Sequence, residues 1–534
     1  MGYCQRVNTP IIQGMSNRTH STFDDACYLA LKARDARFDG CFFTGITSTG
    51  IYCRPVCRVR TPKRENCRFF HHAAQAEQAG FRPCLRCRPE LAPATQAGAV
   101  PAWSMQDASS ILALQAARLM DVSADNTLVS GNVAALAQRL GISDRHLRRI
   151  FEAQFGVSPL QYLQTRRLLC AKQLLTDTRL PAAQVAHMSG FASVRRFNAA
   201  FVGHYGLNPT QLRRTGAASV QSGQPASIQV RLAYRPPYDV TAMLQFLETR
   251  QIAGVEQVTQ TPQQQSIART LRVSQGQQVF TGWLMARFDQ AHCRVILTVS
   301  DTLGDVLPQV MAAVRRLLDL DADPSAINQV LHDAFPDADG LRLPGTVDGF
   351  ELAVRAVLGQ QISVAAARTL CARLVARFGD PVNTPIAGLN RLFPSATTLA
   401  AASGDALGQL GIVRQRQAAI QALAQAVAEQ GLSLHAGADL AQTQAALLAL
   451  PGIGDWTTQY ISMRALGWPD ALVAGDVALQ KALGVRDQPQ PARAAQAASQ
   501  AWQPWRSYAV IRAWTGLPTA APPKVTPTPL SLSI

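Results

Sequence analysis

The chain has 534 residues, of which 47% are hydrophobic, and this length predicts roughly three or four globular domains rather than one core. It contains no run of 18 apolar residues, and its N-terminus lacks the basic start and apolar stretch of a signal peptide, which excludes a membrane-spanning helix and favours the reducing cytoplasm. The net charge of +16 is concentrated in residues 1–216, with 27 Lys and Arg against 13 Asp and Glu, and this basic half favours a nucleic-acid partner over solubility alone.

Changes in composition and in the predicted secondary structure divide the chain into segments. Linkers rich in Pro, Ala, Gly and Ser separate a cysteine-rich module, a run of short amphipathic helices, a mixed strand-and-helix region and a second helical region. The predicted fold class is therefore multidomain, mainly α with α+β parts. The predicted boundaries are 1–21 for a flexible extension, 22–92, 106–215, 228–340 and 341–516 for the domains, and 517–534 for a disordered tail.

Two close cysteine pairs lie in the first predicted domain, in the segments "GIYCRPVCRVR" and "AGFRPCLRCRPE". Three residues separate Cys53 from Cys57, and two separate Cys84 from Cys87. Four thiolates on tight turns suit tetrahedral Zn²⁺, and the flanking arginines stabilise the thiolate form. The odd total of 11 cysteines also fits metal binding in a reducing compartment better than disulfides. Spacing alone favours a zinc knuckle that only holds a small fold together.

Together with "ENCRFF" between them, these segments strongly resemble the N-terminal metal-binding domain of the Ada methylation-response proteins, over about residues 22–92. The resemblance implies that the four cysteines bind Zn²⁺ and that Cys53 accepts a methyl group directly from a methylphosphotriester in DNA. A zinc-bound thiolate is a soft nucleophile at neutral pH, and its methylation lowers the negative charge that faces DNA phosphates. The other cysteines, including Cys41 and Cys67, are expected to be ordinary buried thiols.

A pseudo-repeat follows, in which "VAALAQRLGISDRHLRRIFEAQFGVSP" is echoed by "AAQVAHMSGFASVRRFNAAFVGHYGLNP". Each copy predicts a helix-turn-helix whose second helix suits the major groove of DNA, and Ser143 is a natural N-cap for the first such helix. Two copies in register favour this interpretation over an ordinary helical bundle with a basic face. The residues predicted to contact DNA are Arg145, His146 and Arg149 in the first copy, and Arg195 and Arg196 in the second.

The helical stretch at about 108–214 resembles the AraC-type DNA-binding domain, through "GISDRHLRRIF", "GVSPLQYLQTRRL" and "GLNPTQLRR". The resemblance implies a transcription activator that places its two motifs in successive major grooves of double-stranded DNA. It also implies RNA polymerase as a partner and a place at the bacterial nucleoid.

The second helical region contains "LPGIGDW", Leu450 to Trp456. Gly452 and Gly454 allow a tight turn between two helices. The amides around Ile453, with the positive end of the next helix, can hold a DNA phosphate without reading sequence. A lone PGIG could be any loop, but Asp476 follows 22 residues after Gly454, in "LVAGDVALQK".

The hairpin and the aspartate resemble those of the AlkA-type 3-methyladenine DNA glycosylases, of the helix-hairpin-helix superfamily. The resemblance covers about residues 228–516 and includes the segments "RPPYDVTAMLQFL", "GLRLPGTVDGFELAVRAVLGQQISVAAA" and "WQPWRSYAVIRAW". The resemblance implies a flipped base and an Asp476 carboxylate that stabilises the oxocarbenium ion of the sugar. It also implies an aromatic pocket of Trp456, Tyr460 and Trp514 that prefers cationic bases, although each aromatic alone would more often be a core residue.

Two departures from that family refine the expectation. Relatives that also cut the strand carry a lysine where this chain has Trp456, so base removal without lyase activity is expected. The usual leucine wedge aligns with Gln361, and a polar wedge is a poorer stacking plug. The Pro-Cys-His-Arg string of the second Ada methyltransferase domain is missing from the sequence, so direct reversal of O6-methylguanine is not expected.

The sequence thus predicts a fusion for alkylated DNA: a small zinc-binding α/β domain, a double helix-turn-helix, an AlkA-like mixed α/β subdomain and an all-α helix-hairpin-helix glycosylase domain. Two alternatives remain. The protein could be a methyl-sensing regulator whose glycosylase domain is weak or inactive, or its N-terminal half could be only a zinc-stabilised binding module.

Overall fold

The computed structural model describes residues 20–94, 105–122, 132–216 and 227–516. Most of the predicted extension, the predicted tail and parts of the linkers therefore lie outside the described residues. Within the described residues, no helix is both long enough and apolar enough to span a bilayer.

The cysteine-rich module is a small sheet flanked by helices. Strand order is β3-β1-β2-β4, with β1 antiparallel to β2 and β3, and β4 parallel to β2. Strand β2 ends at Cys53 and Cys84 directly follows β4, so the pairing of these two strands brings the two cysteine pairs together. The elements are α1 (His20–Ala33), β1 (Phe43–Ile46), β2 (Ile51–Cys53), β3 (Cys67–Phe70), α2 (Ala73–Gln78) and β4 (Arg82–Pro83).

The two copies of the pseudo-repeat fold alike. Each recognition helix begins after a serine N-cap, Ser143 or Ser193, whose hydroxyl accepts from the backbone three residues later. Each ends at a glycine in the left-handed region, Gly156 or Gly206, where a side chain would be strained. The helices are α3 (Met105–Val122), α4 (Val133–Arg139), α5 (Asp144–Phe155), α6 (Pro159–Asp177), α7 (Ala182–Met188), α8 (Val194–Tyr205) and α9 (Pro209–Gly216).

The mixed region is built on an antiparallel five-stranded sheet of order β5-β9-β8-β7-β6. Buried Val and Leu residues alternate along β5 and β9, as expected for a sheet with one face on the core. The elements are β5 (Ser227–Ala233), α10 (Val240–Arg250), β6 (Glu256–Gln260), β7 (Gln265–Gln275), β8 (Gln278–Asp289), β9 (Arg294–Ser300), α11 (Leu307–Leu317) and α12 (Pro324–Leu331).

The rest of the described chain is helical. The helices surround two hydrophobic clusters, one centred on α13 and α17 and the other on α22. They are α13 (Gly349–Leu358), α14 (Val364–Phe378), α15 (Ala396–Ala400), α16 (Gly404–Gly408), α17 (Arg414–Ala428), α18 (Leu440–Leu448), α19 (Asp455–Arg464), α20 (Val477–Ala482), α21 (Pro491–Ala498) and α22 (Arg506–Thr515).

The second copy of the helix-turn-helix and the mixed region share one hydrophobic core, whereas the first copy has a cluster of its own. Phe197 and Phe201 of the second recognition helix belong to the same buried cluster as Val230 and Leu232 of β5. The two regions are therefore joined by apolar burial, the dominant favourable term in such contacts. The outer face of the second recognition helix, with Arg195 and Arg196, remains exposed.

Buried charges join the cysteine-rich module to its neighbours. Lys172 of α6 is 1% exposed and forms an ion pair with Glu90, which also accepts from Arg88 at 2.9 Å. Arg88 reaches Asp177 of α6 at 2.6 Å. Arg235, fully buried at the start of the mixed region, donates to backbone carbonyls of residues 39, 93, 94, 321 and 322. Burying a charge is costly unless it is paired or hydrogen-bonded, so these contacts favour the arrangement in which the regions meet.

Candidate active site and DNA-binding surfaces

The four predicted zinc ligands converge. The sulfur atoms of Cys53, Cys57, Cys84 and Cys87 all lie within 4.8 Å of one another. Four thiolates in one shell are the donor set of structural zinc sites, so these residues form a metal site whose chemistry fits zinc.

Arg54 lies between Cys53 and Cys57 in the sequence and is hydrogen-bonded to a third cysteine of the cluster, Cys87. Its amide donates to Cys87 Sγ at 3.3 Å, and its guanidinium donates to the Cys87 carbonyl and forms a buried ion pair with Asp39. Cys53 itself is 3% exposed, and a small cleft lined by residues including Thr44 and Val59 reaches it. This cleft is one route by which a reacting group can reach Cys53.

Two thiols outside the cluster, Cys41 and Cys371, are held in their protonated form. Burial raises the pKa of Cys41 to about 11 and that of Cys371 to about 12. Since the thiolate is the reactive form, both behave as unreactive side chains.

The predicted base-reading side chains lie on the outer faces of α5 and α8. Arg145 and Arg149 are exposed, and His146 is half-buried, with its Nδ1 atom 3.1 Å from Arg149 Nη2. Arg195 and Arg196 are exposed at the start of α8. The apolar residues Leu147, Phe151, Phe197 and Phe201 are buried, so these basic side chains belong to the outer faces of the two helices.

The hairpin between α18 and α19 has the geometry that the glycines predicted. Gly452 adopts φ +75°, and a side chain there would meet Ala419 of α17, with the two β-carbons 3.1 Å apart. Ile453 is 4% exposed, and its amide donates to the Leu450 carbonyl. No hydrogen bond donated by the Gly452 and Gly454 amides is found among the described residues, so both amides can still donate to a ligand.

Asp476 caps α20 and is held by two indole groups. Its Oδ1 atom accepts from the Leu479 amide at 2.8 Å and from Trp514 Nε1 at 2.9 Å. Its Oδ2 atom accepts from Trp456 Nε1 at 3.1 Å. Trp456 lies in the first turn of α19, directly after the hairpin, so its indole connects the Asp476 carboxylate to the helix that follows the hairpin.

The three predicted aromatics form one cluster beside this carboxylate. Trp456 and Tyr460, one turn apart on α19, stack with ring centroids 5.2 Å apart, and Trp514 lies 6.3 Å from Tyr460. Arg464 Nη1 donates to the Tyr460 hydroxyl at 2.5 Å. Burial opposes ionisation of Tyr460, but the charges of Arg464 and Arg250 outweigh burial and lower the pKa of this phenol.

Gln361 lies at the tip of the loop between α13 and α14. Its side chain is exposed, and its backbone adopts φ +57°, a left-handed conformation that is uncommon for residues other than glycine. Gln360, Arg464 and Arg250 also contribute to the site, and sequence reasoning missed all three because only their tertiary partners reveal them.

Four family models match successive parts of the chain. They are the metal binding domain of Ada at 26–90, a helix-turn-helix domain at 136–215, the AlkA N-terminal domain at 229–348 and the HhH-GPD superfamily base excision DNA repair protein at 354–507. Fold and site together define a DNA-binding protein that joins a cysteine metal site, a helix-turn-helix regulator and a base-excision glycosylase.

One relative is similar along nearly the whole chain. The probable bifunctional transcriptional activator/DNA repair enzyme AlkA of Mycobacterium tuberculosis is 39% identical over 507 residues, which cover 93% of this chain and 97% of the relative. The chain belongs to this family of bifunctional activators and repair enzymes, which confirms the predicted resemblance and the predicted fold class.

Two further relatives each match part of the chain. DNA-3-methyladenine glycosylase 2 of Escherichia coli is 34% identical over 283 residues, 53% of this chain and 95% of that protein. The bifunctional activator/repair enzyme Ada of Escherichia coli is 38% identical over 144 residues, 27% of this chain and 36% of that protein. The chain therefore combines parts similar to both.

Proposed function

We propose that the chain removes 3-methyladenine and related alkylated purines from DNA by hydrolysis, with Asp476 as the catalytic carboxylate. The observation that carries this proposal is the carboxylate itself. It is held between two indole N–H groups and beside a stacked aromatic cluster, and one of these indoles belongs to Trp456 in the first turn after the hairpin. Few other roles account for an acidic group in a tryptophan cluster next to a phosphate-binding turn.

The chemistry follows from the charge of the substrate. A purine methylated at N3 or N7 is cationic, so it departs as a neutral base without a strong general acid. The sugar becomes an oxocarbenium ion, and the Asp476 carboxylate stabilises that charge where it develops. Because Oδ1 already accepts two hydrogen bonds and Oδ2 only one, Oδ2 is the atom with a lone pair free to face the sugar.

The aromatic cluster supplies selectivity for the cationic base. The flipped purine enters among Trp456, Tyr460 and Trp514, whose π-faces attract a cation. The hairpin amides of Gly452 and Gly454 hold a phosphate near the target nucleotide, and Gln361 enters the space that the flipped base leaves. The chain has Trp456 where an amine would be needed for a Schiff base with the sugar, so base removal stops at the abasic site.

Asp476→Asn tests this proposal because asparagine keeps the size and loses the charge. The variant should release 3-methyladenine from methylated DNA at least about a hundredfold more slowly than wild type, the scale of losing one electrostatic stabiliser in an active site. Borohydride should trap no covalent complex between wild type and DNA. Absence of release by wild type would favour the alternative, a methyl-sensing regulator with an inactive glycosylase domain.

We further propose that Cys53 accepts the methyl group of a DNA methylphosphotriester. Bound Zn²⁺ would keep the four thiols deprotonated at neutral pH. Cys53 Sγ then attacks the methyl carbon, a sulfur–carbon bond forms, and the carbon–oxygen bond to the phosphotriester breaks to leave an ordinary phosphodiester. The resulting thioether has lost one negative charge, which favours closer approach to DNA phosphates.

Mass spectrometry decides between methyl acceptance and a plain zinc module. After incubation with methylphosphotriester DNA, the Cys53 peptide should gain the mass of one methyl group, and Cys53→Ser should gain none. A methyl-modified chain should then bind its promoter more tightly and contact RNA polymerase to activate transcription. An unchanged Cys53 peptide would leave only the binding-module interpretation.

A further inference from the structure

Gln360 lies where the Gln361 loop meets the phosphate-binding hairpin. Its side-chain Nε2 donates to the Gly452 carbonyl at 2.9 Å and to Thr457 Oγ1 at 3.0 Å. Gly452 belongs to the hairpin and Thr457 to the first turn of α19. One amide group therefore bridges the loop that carries Gln361 and the hairpin that we propose to bind a phosphate.

The backbone of Gln360 is held as firmly as its side chain. Arg416 at the start of α17 donates from its guanidinium to the Gln360 carbonyl. The same helix also supports the hairpin, because Ala419 lies directly against Gly452. Gln360, in the loop before α14, is thus hydrogen-bonded to both the hairpin and helix α17.

The hydrogen bonds of Gln360 bear on the backbone conformation of the next residue, Gln361. Gln361 holds a left-handed backbone with an exposed side chain, and such a conformation is unfavourable for a residue that has a β-carbon. Strained conformations of this kind persist only where the surroundings determine them, and they cluster at functional sites. The surroundings here are the hydrogen bonds of Gln360 and the hydrogen bond from the Ile362 amide to the Gly359 carbonyl, since the Gln361 side chain itself is exposed.

We propose that Gln360 is a positioning residue that couples phosphate binding at the hairpin to insertion of the Gln361 side chain into the duplex. This inference rests on the proposed glycosylase function. Because the bridge sets the distance between the bound phosphate and the wedge, it determines which nucleotide along the strand is extruded. Gln360 touches neither the base nor the sugar in this scheme.

The test measures base extrusion separately from bond cleavage. A duplex with 2-aminopurine beside the lesion reports unstacking by fluorescence, and Gln360→Met keeps the side-chain length while it removes both N–H donors. We expect this variant to lower the fluorescence gain and kcat at least tenfold, with less than threefold change in affinity for undamaged duplex. Gln360→Ala should behave alike, and serves if the methionine variant fails to fold.

A matched control and a double variant separate positioning from simple stability. The control is Gln421→Met on α17. It removes a similar hydrogen bond, from the Gln421 side-chain amide to the Ala402 carbonyl at 2.7 Å, away from the hairpin, and should unstack DNA normally. If Gln360 acts through the wedge, Gln361→Ala alone should reduce unstacking, and adding Gln360→Met should lower it less than twofold further.

Three results would overturn the inference: normal unstacking by Gln360→Met, fully additive effects in the double variant, or normal unstacking by Gln361→Ala. Failure of the proposed glycosylase function looks different. In that case wild type unstacks the duplex but releases no base, and the fluorescence comparison still decides the role of Gln360.

Discussion

Replacement of Trp514 by phenylalanine separates two roles of the indole groups around Asp476. Phenylalanine keeps an aromatic face for a cationic base but has no N–H to donate. In the structure, Trp514 Nε1 is 2.9 Å from Asp476 Oδ1, and Trp456 Nε1 is 3.1 Å from Oδ2. The Trp514→Phe variant therefore removes one of three hydrogen bonds that orient the carboxylate.

The size of the effect follows from the charge of the acceptor. A hydrogen bond to an ionised group contributes about 1.5–3 kcal/mol. If that orientation is needed in the transition state, the rate of base release should fall roughly 10- to 150-fold. Trp456→Phe should fall in the same range but closer to its lower end, because its hydrogen bond is longer.

Single-turnover release from methylated DNA measures this effect, with 7-methylguanine as a cationic base and hypoxanthine as a neutral one. Loss of the N–H should slow both bases alike. Trp502→Phe is the control, since Trp502 packs against Phe335 outside the Asp476 site and should change little. A loss confined to 7-methylguanine would show that only the ring face matters. A loss below threefold for both bases would refute the orienting role.

Three further predictions test stability, metal binding and DNA binding. Burial raises the pKa of Asp319 to about 7, so the folded state holds a proton that the unfolded chain releases, and stability should fall as pH rises from about 4 to 7. Relative to Asp319→Asn, wild type should lose roughly 2 kcal/mol of stability between about pH 5.5 and 7.5 in calorimetry, and equal pH trends would refute this. Wild type should carry one zinc per chain by elemental analysis. Cys84→Ser should lose it, whereas Cys67→Ser, outside the cluster, should keep it. Arg195→Ala should weaken binding to selected duplexes by about 1–3 kcal/mol in fluorescence anisotropy, and unchanged affinity would remove Arg195 from the DNA interface.

Motifs that span a short stretch of the sequence were enough to predict the metal site, the two helix-turn-helix units and the hairpin turn. The cysteine spacing indicates a tetrahedral metal site because each pair lies on one turn. The pseudo-repeat indicates two helix-turn-helix units because the serine N-cap and the glycine C-cap recur at matching positions. The hairpin glycines likewise mark a turn, and the structure finds Gly452 in the left-handed region as that turn requires.

Contacts between distant segments were decided only by the tertiary structure. Hydrophobic periodicity shows which face of a helix is buried but does not name its partner, so the shared core of the second recognition helix and β5 was not predictable. The five backbone carbonyls that Arg235 binds come from segments far apart in the chain. Trp456 and Trp514 could be chosen from the sequence as aromatic walls. That their N–H edges point to Asp476, and that Gln360 reaches Gly452, depends on how α13, α19, α20 and α22 pack, because packing sets side-chain direction.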